Sequence, residues 1–153
     1  MTDPISIRRY ELKDHSEVRA LFISINRLMA PPHLKEAFEG YITQSLSEEI
    51  DNIPDYYQRK KGSFWVAILN NKVVGMLGLE AYGDGDLELR RMYVSPDHRR
   101  QGIAKRMLAF AEAQSAADGA KQLYLSTSEL QEAALAFYRN SGYQLLREET
   151  ADT

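Results

Sequence analysis

The residues HRRQGIAKRML at 98–108 join two segments whose apolar residues recur with different periods. Before them, LELRRMYV at 87–94 alternates apolar and polar residues over most of its length, as a β-strand does. From Ile103 onward the apolar residues recur every three or four positions, which predicts an amphipathic helix that ends at Gly119. A strand that leads through a short loop into a helix must pack that helix on a sheet, so the pattern predicts a mixed fold.

The same patterns assign the rest of the chain. A strand at the start and two amphipathic helices precede Pro54, and a strand, a helix and a last strand follow Gly119. Between these parts, a hairpin is predicted around Asn70-Asn71. The order predicts a single domain over 1–153, of the α/β (α+β) class. The predicted strands are 5–12, 63–69, 72–82, 87–94, 122–127 and 143–149.

Composition removes several classes of function. The net charge of −3 argues against a nucleic-acid binder, and cysteine is absent, which excludes thiolate catalysis and disulfides. The three histidines are scattered, so no metal site is expected. No apolar run approaches the roughly 18 residues of a membrane helix, and the start lacks the apolar segment of a secretion signal. We therefore expect a cytoplasmic protein that does not act on membranes.

The basic loop itself is a candidate anion site. The first backbone N–H groups of a helix have no partners within the helix, and they carry partial positive charge. Gly102 lets a phosphate approach the backbone. Full charges around it come from Arg99, Arg100, Lys105 and Arg106. The loop has neither the P-loop pattern nor the dinucleotide fingerprint. A solvated basic loop that caps a helix remains the alternative.

The strand before the loop carries an irregularity. Leu87 and Leu89 point one way, but the next apolar pair is Met92 and Val94, so the alternation slips by one residue. A slip of this kind predicts a β-bulge at Arg90-Arg91, and bulges often lie beside active sites. A bulge would free backbone groups of 92–94 for a ligand that adds like a strand. The alternative is an edge strand with two exposed arginines.

Two sequence blocks resemble a known family. ELRRMYVSPDHRRQGIAKRML at 88–108 contains Arg99-x-x-Gly102-x-Ala104, which matches the [Q/R]-x-x-G-x-[G/A] motif of the GNAT superfamily of N-acetyltransferases. AALAFYRNSGYQ at 133–144 is similar to the same family's later A-x-x-F-Y-x-x-x-G-[F/Y] signature. The resemblance covers about 63–149, and both blocks occur in the family's order.

The resemblance implies a mostly antiparallel central sheet of six to seven strands, flanked by about four helices and splayed between its fourth and fifth strands. It also implies acetyl-CoA as cosubstrate, with the pyrophosphate on the basic loop and the pantetheine arm along the backbone of Met92 and Val94. Gln131 stands where many members have an asparagine that touches the cofactor. The expected cofactor-binding residues are Met92, Tyr93, Val94, Arg99, Arg100, Gln101, Gly102, Ile103, Ala104, Lys105 and Gln131.

The seven-strand pattern of the family leaves one strand unassigned. Only TADT follows the last predicted strand, 143–149. We therefore expect the final strand to be missing, truncated or supplied by a partner chain, and a homodimer stays open.

Two residues are candidates for the chemistry that the resemblance implies. Glu88 lies eleven residues before Arg99, matching the general-base glutamate of some members, and its alternative role is to bind a substrate cation or face solvent. Tyr138 matches the tyrosine that protonates the leaving thiolate in the family, and its alternative role is packing. We expect an N-acetyltransferase that moves acetyl directly from acetyl-CoA to a primary amine of a small molecule or peptide. The competing interpretation is a non-catalytic acyl-CoA-binding module.

The acidic residues raise a question about the acceptor. Acids are frequent in 36–55, and Glu80, Asp84 and Asp86 follow in the strands. They could attract a cationic acceptor, or they could form a solvated surface.

Overall fold

The computed structural model describes residues 5–126 and 132–145. Within these ranges the chain forms a five-stranded sheet with helices on both faces. None of the described helices is both long enough and apolar enough to cross a membrane. In chain order the elements are β1 (Ser6–Arg9), α1 (His15–Met29), α2 (Lys35–Glu48), α3 (Ile53–Arg59), β2 (Ser63–Leu69), β3 (Lys72–Tyr82), β4 (Asp86–Val94), α4 (Ile103–Ala117), β5 (Leu123–Leu125) and α5 (Glu132–Asn140).

The strands follow chain order across the sheet. β1 to β4 pair antiparallel, and β5 is parallel to β4. The expectation of six to seven strands is wrong for the described residues, which form five. The sequence predicts a strand over 143–149, but residues 143–145 are not in a strand. Tyr143 instead closes α5, because its N–H donates to the carbonyl of Tyr138 at 3.0 Å. Residues 146–149 lie outside the described ranges.

The predicted hairpin is confirmed. Asn70 and Asn71 have φ angles of 52° and 63°, and Leu69 pairs directly with Lys72 across the turn. Two consecutive positive φ angles define the turn type whose twist matches that of the strands, and asparagine tolerates them better than most residues. The β3–β4 connection is a three-residue loop in which Gly83 and Gly85 also have positive φ angles, of 60° and 89°.

The sheet has a core on each face. One core packs α1, α2 and α3 against the sheet through residues that include Phe22, Ile50 and Tyr57. The other packs α4 against the opposite face through Ile103, Met107 and other buried residues, with α5 side chains at its margin. These two faces correspond to alternate residues of each strand, because successive side chains point to opposite sides of a sheet.

Helix α4 begins and ends where the sequence predicts. Gly102 precedes it with φ 75°, and Gly119 follows it with φ 86°. The helix approaches the sheet closely at Gly75, where an added Cβ would lie 2.6 Å from the Sδ atom of Met107. The absence of a side chain at Gly75 therefore leaves room for Met107 of α4 to pack against β3.

Candidate active site

The structure contains the predicted bulge in β4. Gly78 of β3 pairs with Arg90 and Met76 pairs with Tyr93, so Leu77 alone faces both Arg91 and Met92. Arg91 adopts φ 54°, in the left-handed region. A non-glycine residue in this region costs about 1–2 kcal/mol, so other contacts must offset that strain.

The bulge places two consecutive arginines on the same face of the sheet. Arg90 and Arg91 both contact residues of the α1–α3 face, whereas neighbouring residues of a regular strand would point to opposite faces. Tyr93 continues on that face, while Met92 and Val94 pack into the core beneath α4. The alternative of two exposed arginines is wrong, because the side chains of Arg90 and Arg91 are only 22% and 9% exposed.

Glu49 is the shared partner of the two arginines. Its carboxylate accepts hydrogen bonds from Nε and Nη2 of Arg91 at 3.2 and 3.1 Å, and it lies 3.1 Å from Nη1 of Arg90. The hydroxyl of Tyr57 donates to it at 2.7 Å. Glu49 is only 2% exposed, so these contacts supply the compensation that a buried carboxylate needs. No local sequence pattern predicts this interaction, because Glu49 and Arg91 are 42 residues apart.

Glu88 lies next to this cluster, on the same face of β4. It is directly opposite Glu80 of β3 and beside Tyr124 of β5. Its side chain is 25% exposed, and Nε of Arg90 lies 3.7 Å from its carboxylate. Burial raises the pKa of Glu88, Arg90 opposes the rise, and Glu80 adds to it. A carboxyl group with a raised pKa is a better proton acceptor near neutral pH than an ordinary glutamate.

The sheet opens beyond Glu88. β5 pairs with β4 only at 87–89, and among the described residues no strand pairs with that edge of β4 from Arg90 to Val94. The side chains of Met92 and Val94 pack in the core, and that of Tyr93 packs on the opposite face. If these three residues contact a ligand at this edge, their backbone groups are the parts available to it.

The basic loop continues from this open edge. Arg100 has φ 63° and Gly102 φ 75°, the kind of left-handed turn that gathers backbone N–H groups around an anion. The N–H groups of Ile103, Ala104 and Lys105 have no backbone acceptor in the described part of the chain. A Cβ on Gly102 would meet no atom within 4 Å, so the space in front of the loop is open.

The side chains of the loop divide into two groups. Arg99, Arg100, Gln101 and Lys105 are exposed, so their charges and amide are accessible to a ligand. Ile103 is 1% exposed and belongs to the core under α4, so only its backbone is accessible. Gln131 lies outside the described residues.

Tyr138 is part of an aromatic group at the margin of the α4 core. Its ring packs against those of Phe137 and Tyr143, with centroids 5.3 and 5.9 Å away. Burial, with a smaller contribution from the nearby Tyr93 phenol, raises the pKa of Tyr138 to about 12. Among the described residues no ion pair joins Tyr138 to Glu88, whose ionic neighbour is Arg90.

The acids that were candidates for attracting a cation are partly used within the protein. Glu49 is buried between two arginines, and Glu80 bonds to Arg90 at 2.9 Å and accepts from Tyr56. Their charges are therefore compensated locally. Within 5–126 and 132–145, no three His, Asp or Glu side chains lie together in a way that could hold a metal ion.

Comparison with known proteins identifies the class. The sequence model of the acetyltransferase (GNAT) family matches residues 29–143. This match spans both the bulged strand and the basic loop, and it confirms the resemblance carried by the two sequence blocks. The chain therefore belongs to the GNAT family of acetyltransferases.

Individual relatives agree with this assignment. The chain is 32% identical over 116 residues to human N-acetyltransferase 8, covering 72% of this chain and 51% of that protein. It is 37% identical over 120 residues to rat N-acetyltransferase family 8 member 3, with 72% and 51% covered. The chain thus spans about half the length of the curated relatives it matches.

Solved structures share the fold. A GNAT-family acetyltransferase from Staphylococcus aureus Mu50 superposes with a TM-score of 0.78 at 24% identity, covering 94% of this chain and 87% of that one. The PaiA N-acetyltransferase from Thermoplasma acidophilum, solved with coenzyme A, gives 0.81 at 18% identity, covering 96% and 94%. Family membership supports acetyl-CoA as the cosubstrate of this transferase class.

Proposed function

We propose that this protein is an N-acetyltransferase that moves an acetyl group from acetyl-CoA to a primary amine, directly and within a ternary complex. The observation that carries the proposal is the open edge of β4 at 90–94, which leads straight into a basic loop with unpartnered N–H groups. Together they match a long ligand with an amide-containing arm and an anionic end.

The donor would bind along that path. Amide groups of the pantetheine arm would pair with the backbone of Met92 and Val94, as an added strand does. The pyrophosphate would lie on the loop from Arg99 to Ala104 and on the N-terminus of α4, where backbone N–H groups and exposed cations favour an anion. Tyr93, Gln101 and Lys105 flank the same path, and Gln131 is proposed on family resemblance alone.

The amine that receives the acetyl group must first lose a proton. An alkylamine with a pKa near 10.4 is only about 0.04% neutral at pH 7, which costs about 4.6 kcal/mol. We assign Glu88 as the base that removes this proton, directly or through a water molecule. Its raised pKa and its partial exposure beside the open edge support that role.

The reaction then balances with two further proton transfers. The amine nitrogen attacks the thioester carbon, the C–S bond breaks, and the nitrogen releases its second proton to solvent as the acetyl group becomes an amide. Tyr138 donates its proton to the leaving sulfur and regains one from solvent. With a pKa of about 12 the phenol stays protonated under ordinary conditions, although it is a weaker acid than an unperturbed tyrosine.

The competing function is a module that binds acyl-CoA without turnover. A module of this kind requires the open edge and the loop, but it has no use for a carboxyl group with a raised pKa beside them. Glu88 therefore favours the enzyme. We keep a primary amine of a small molecule or peptide as the acceptor class. Much of the nearby acidic charge is compensated by Arg90 and Arg91, so these acids do not select a more strongly cationic acceptor.

The test combines a binding and a turnover measurement. Purified protein is given acetyl-CoA and a panel of amines, and free CoA is measured; Glu88→Gln is compared with Glu39→Gln, an exposed glutamate on α2. We expect Glu88→Gln to lower kcat by about 100-fold or more while the acetyl-CoA Kd stays unchanged, because general bases contribute about that much. Tight acetyl-CoA binding without CoA release for any amine would instead support the binding module.

A further inference from the structure

Glu88 has an unusual neighbour for a candidate base. Arg90 lies two residues along the same strand and on the same face, and its Nε atom is 3.7 Å from a Glu88 oxygen. A guanidinium paired with a carboxylate normally lowers the carboxylate's pKa by about 1–3 units, which would make it a poor base. The arrangement of Arg90 explains why this pairing is incomplete.

Other partners engage the guanidinium of Arg90. Its Nη1 atom lies 2.9 Å from Oε2 of Glu80 and 3.1 Å from Oε1 of Glu49, and it donates to the hydroxyl of Tyr56 at 2.8 Å. The guanidinium of Arg90 also packs over the ring of Tyr56, with its Cζ atom 5.5 Å from the ring centroid. Against these contacts, the 3.7 Å separation from Glu88 is too long for a hydrogen bond.

Glu80 affects Glu88 in two ways. The two residues are direct cross-strand partners, so their like charges repel when both are ionised. Glu80 also lies 2.9 Å from Nη1 of Arg90, closer than Glu88 at 3.7 Å, and so keeps that charge from forming a full pair with Glu88. Both effects favour the protonated form of Glu88.

We propose that Arg90 and Glu80 are positioning residues that act through Glu88, Glu80 holding the guanidinium of Arg90 away from the carboxylate that takes the acceptor's proton. The proposal rests on Glu88 as the base of the proposed function. Its direction is specific: removing Glu80 should make Glu88 easier to ionise, and removing Arg90 should make it harder. The direction of the pKa contributions from Arg90 and Glu80 agrees with this geometry.

The other groups around Glu88 are accounted for. On β5, Tyr124 is the residue that pairs with Glu88. On α3, Tyr56 contacts Arg90 rather than Glu88, and Lys60 Nζ lies 5.8 Å from the centroid of the Tyr56 ring. Tyr57 and Glu49 contact the far side of the cluster. Within the described residues, Arg90 and Glu80 are the charged groups directly beside Glu88.

The experiment measures the titration of Glu88 in two ways. The first is the pH dependence of kcat/KM with one acceptor amine used for every variant, so that the amine's own titration cancels between them. The second is the 13C chemical shift of the labelled Glu88 carboxyl carbon, assigned by its loss in Glu88→Gln, which requires no turnover. The variants are Glu80→Gln and Arg90→Gln, and Glu39→Gln removes an equal charge at an exposed site.

We expect the Glu88 midpoint to fall by about one pH unit in Glu80→Gln and to rise by about one in Arg90→Gln. It should not move in Glu39→Gln. The acidic limb of the rate profile should follow, changing kcat/KM by about tenfold at a fixed pH on that limb. Midpoints that stay unchanged, or move in the same direction in both variants, would overturn the proposal.

The two measurements separate the proposal from the function on which it rests. The 13C titration midpoint of Glu88 could shift as expected while the pH dependence of kcat/KM stays unchanged. That result would support the positioning roles of Arg90 and Glu80 and would remove Glu88 as the base. If Arg90→Gln fails to fold, Glu80→Gln alone decides, since an unchanged or raised midpoint in that variant contradicts the proposed direction.

Discussion

Glu49, directly after α2, and Arg91 of β4 form a two-point ion pair, with Nε to Oε2 at 3.2 Å and Nη2 to Oε1 at 3.1 Å. The pair joins the end of a helix to the left-handed residue of the bulge. The same guanidinium bonds to the hydroxyl of Tyr41 and lies 5.2 Å from the Phe22 ring centroid. These contacts offset the strain at Arg91 and so stabilise the bulge, which shifts the pairing of the following β4 residues with β3 by one position.

This pair predicts a large cost for Glu49→Gln. The substitution leaves two buried arginines without their common carboxylate, and breaking a buried ion pair costs about 3–5 kcal/mol. Urea unfolding at pH 7 measures the loss. The matched control is Glu39→Gln, which removes an exposed partner of Arg27 and should cost about 1 kcal/mol or less. Equal losses in the two variants would show that the buried pair contributes nothing special.

The basic loop predicts a selective effect at Gly102. Gly102 and Gly119 lie at opposite ends of α4 with φ angles of 75° and 86°, and an added Cβ meets no atom within 4 Å at either. Gly102→Leu and Gly119→Leu should therefore lose similar stability, about 1–2 kcal/mol. Only Gly102→Leu should weaken acetyl-CoA binding, by about tenfold or more, in titration calorimetry. Unchanged affinity in that variant would move the pyrophosphate to another part of the surface.

Tyr138→Phe tests the proposed proton donor. We expect kcat to fall by about 100-fold while the acetyl-CoA Kd changes less than about twofold, because the ring remains and only the proton is lost. Tyr143→Phe is the matched control, since its ring packs beside Tyr138 while its hydroxyl bonds to Glu112. A Tyr138→Phe enzyme with full kcat would leave this tyrosine a packing role.

The ionisation of Tyr138 also predicts a pH profile. Because the pKa of Tyr138 is about 12, its phenol keeps its proton well above pH 9, and only the phenolate form would be unable to donate. The wild-type rate should therefore show no loss from this group up to about pH 10. A basic limb near pH 9 that disappears in Tyr138→Phe would contradict the raised pKa.

Asp14 predicts a pH dependence of stability. Hydrogen bonds from Arg8, at 2.8 and 2.9 Å, lower the pKa of the Asp14 carboxyl below its usual value. The contribution is therefore present above the unfolded pKa of about 3.9 and is lost as pH falls through the lower folded pKa. Asp14→Asn should cost about 1.5–3 kcal/mol at pH 7, and the gap to wild type should narrow as pH falls below the unfolded pKa of about 3.9.

The control for this experiment is Asp84→Asn, at an exposed turn, which should change the unfolding free energy by about 0.5 kcal/mol or less at either pH. An Asp14→Asn gap that stays constant between pH 7 and the acid range would mean that its carboxyl does not titrate with folding.

Much of the fold could be predicted because its signals are local. The two-asparagine turn, the glycines that bound α4 and the slip at Arg90-Arg91 each depend on residues within a few positions of one another. The prediction that the loop binds an anion depends on local signals for the same reason. Among the described residues, the predicted last strand is not found at Tyr143, whose N–H closes α5 rather than pairing in a strand, and an apolar run alone cannot distinguish these two uses.

The residues around Glu88 were beyond sequence reasoning. Local order identifies the slip in β4, but the side chains that hold it come from segments tens of residues away, and their meeting depends on how α2 and α3 dock on the sheet. In the sequence, nothing distinguishes Glu49 and Glu80 from other acidic residues. Only packing places them against Arg90 and Arg91. Periodicity and turn chemistry are properties of neighbouring residues, whereas ionisation depends on charges and burial that exist only after distant segments have packed together.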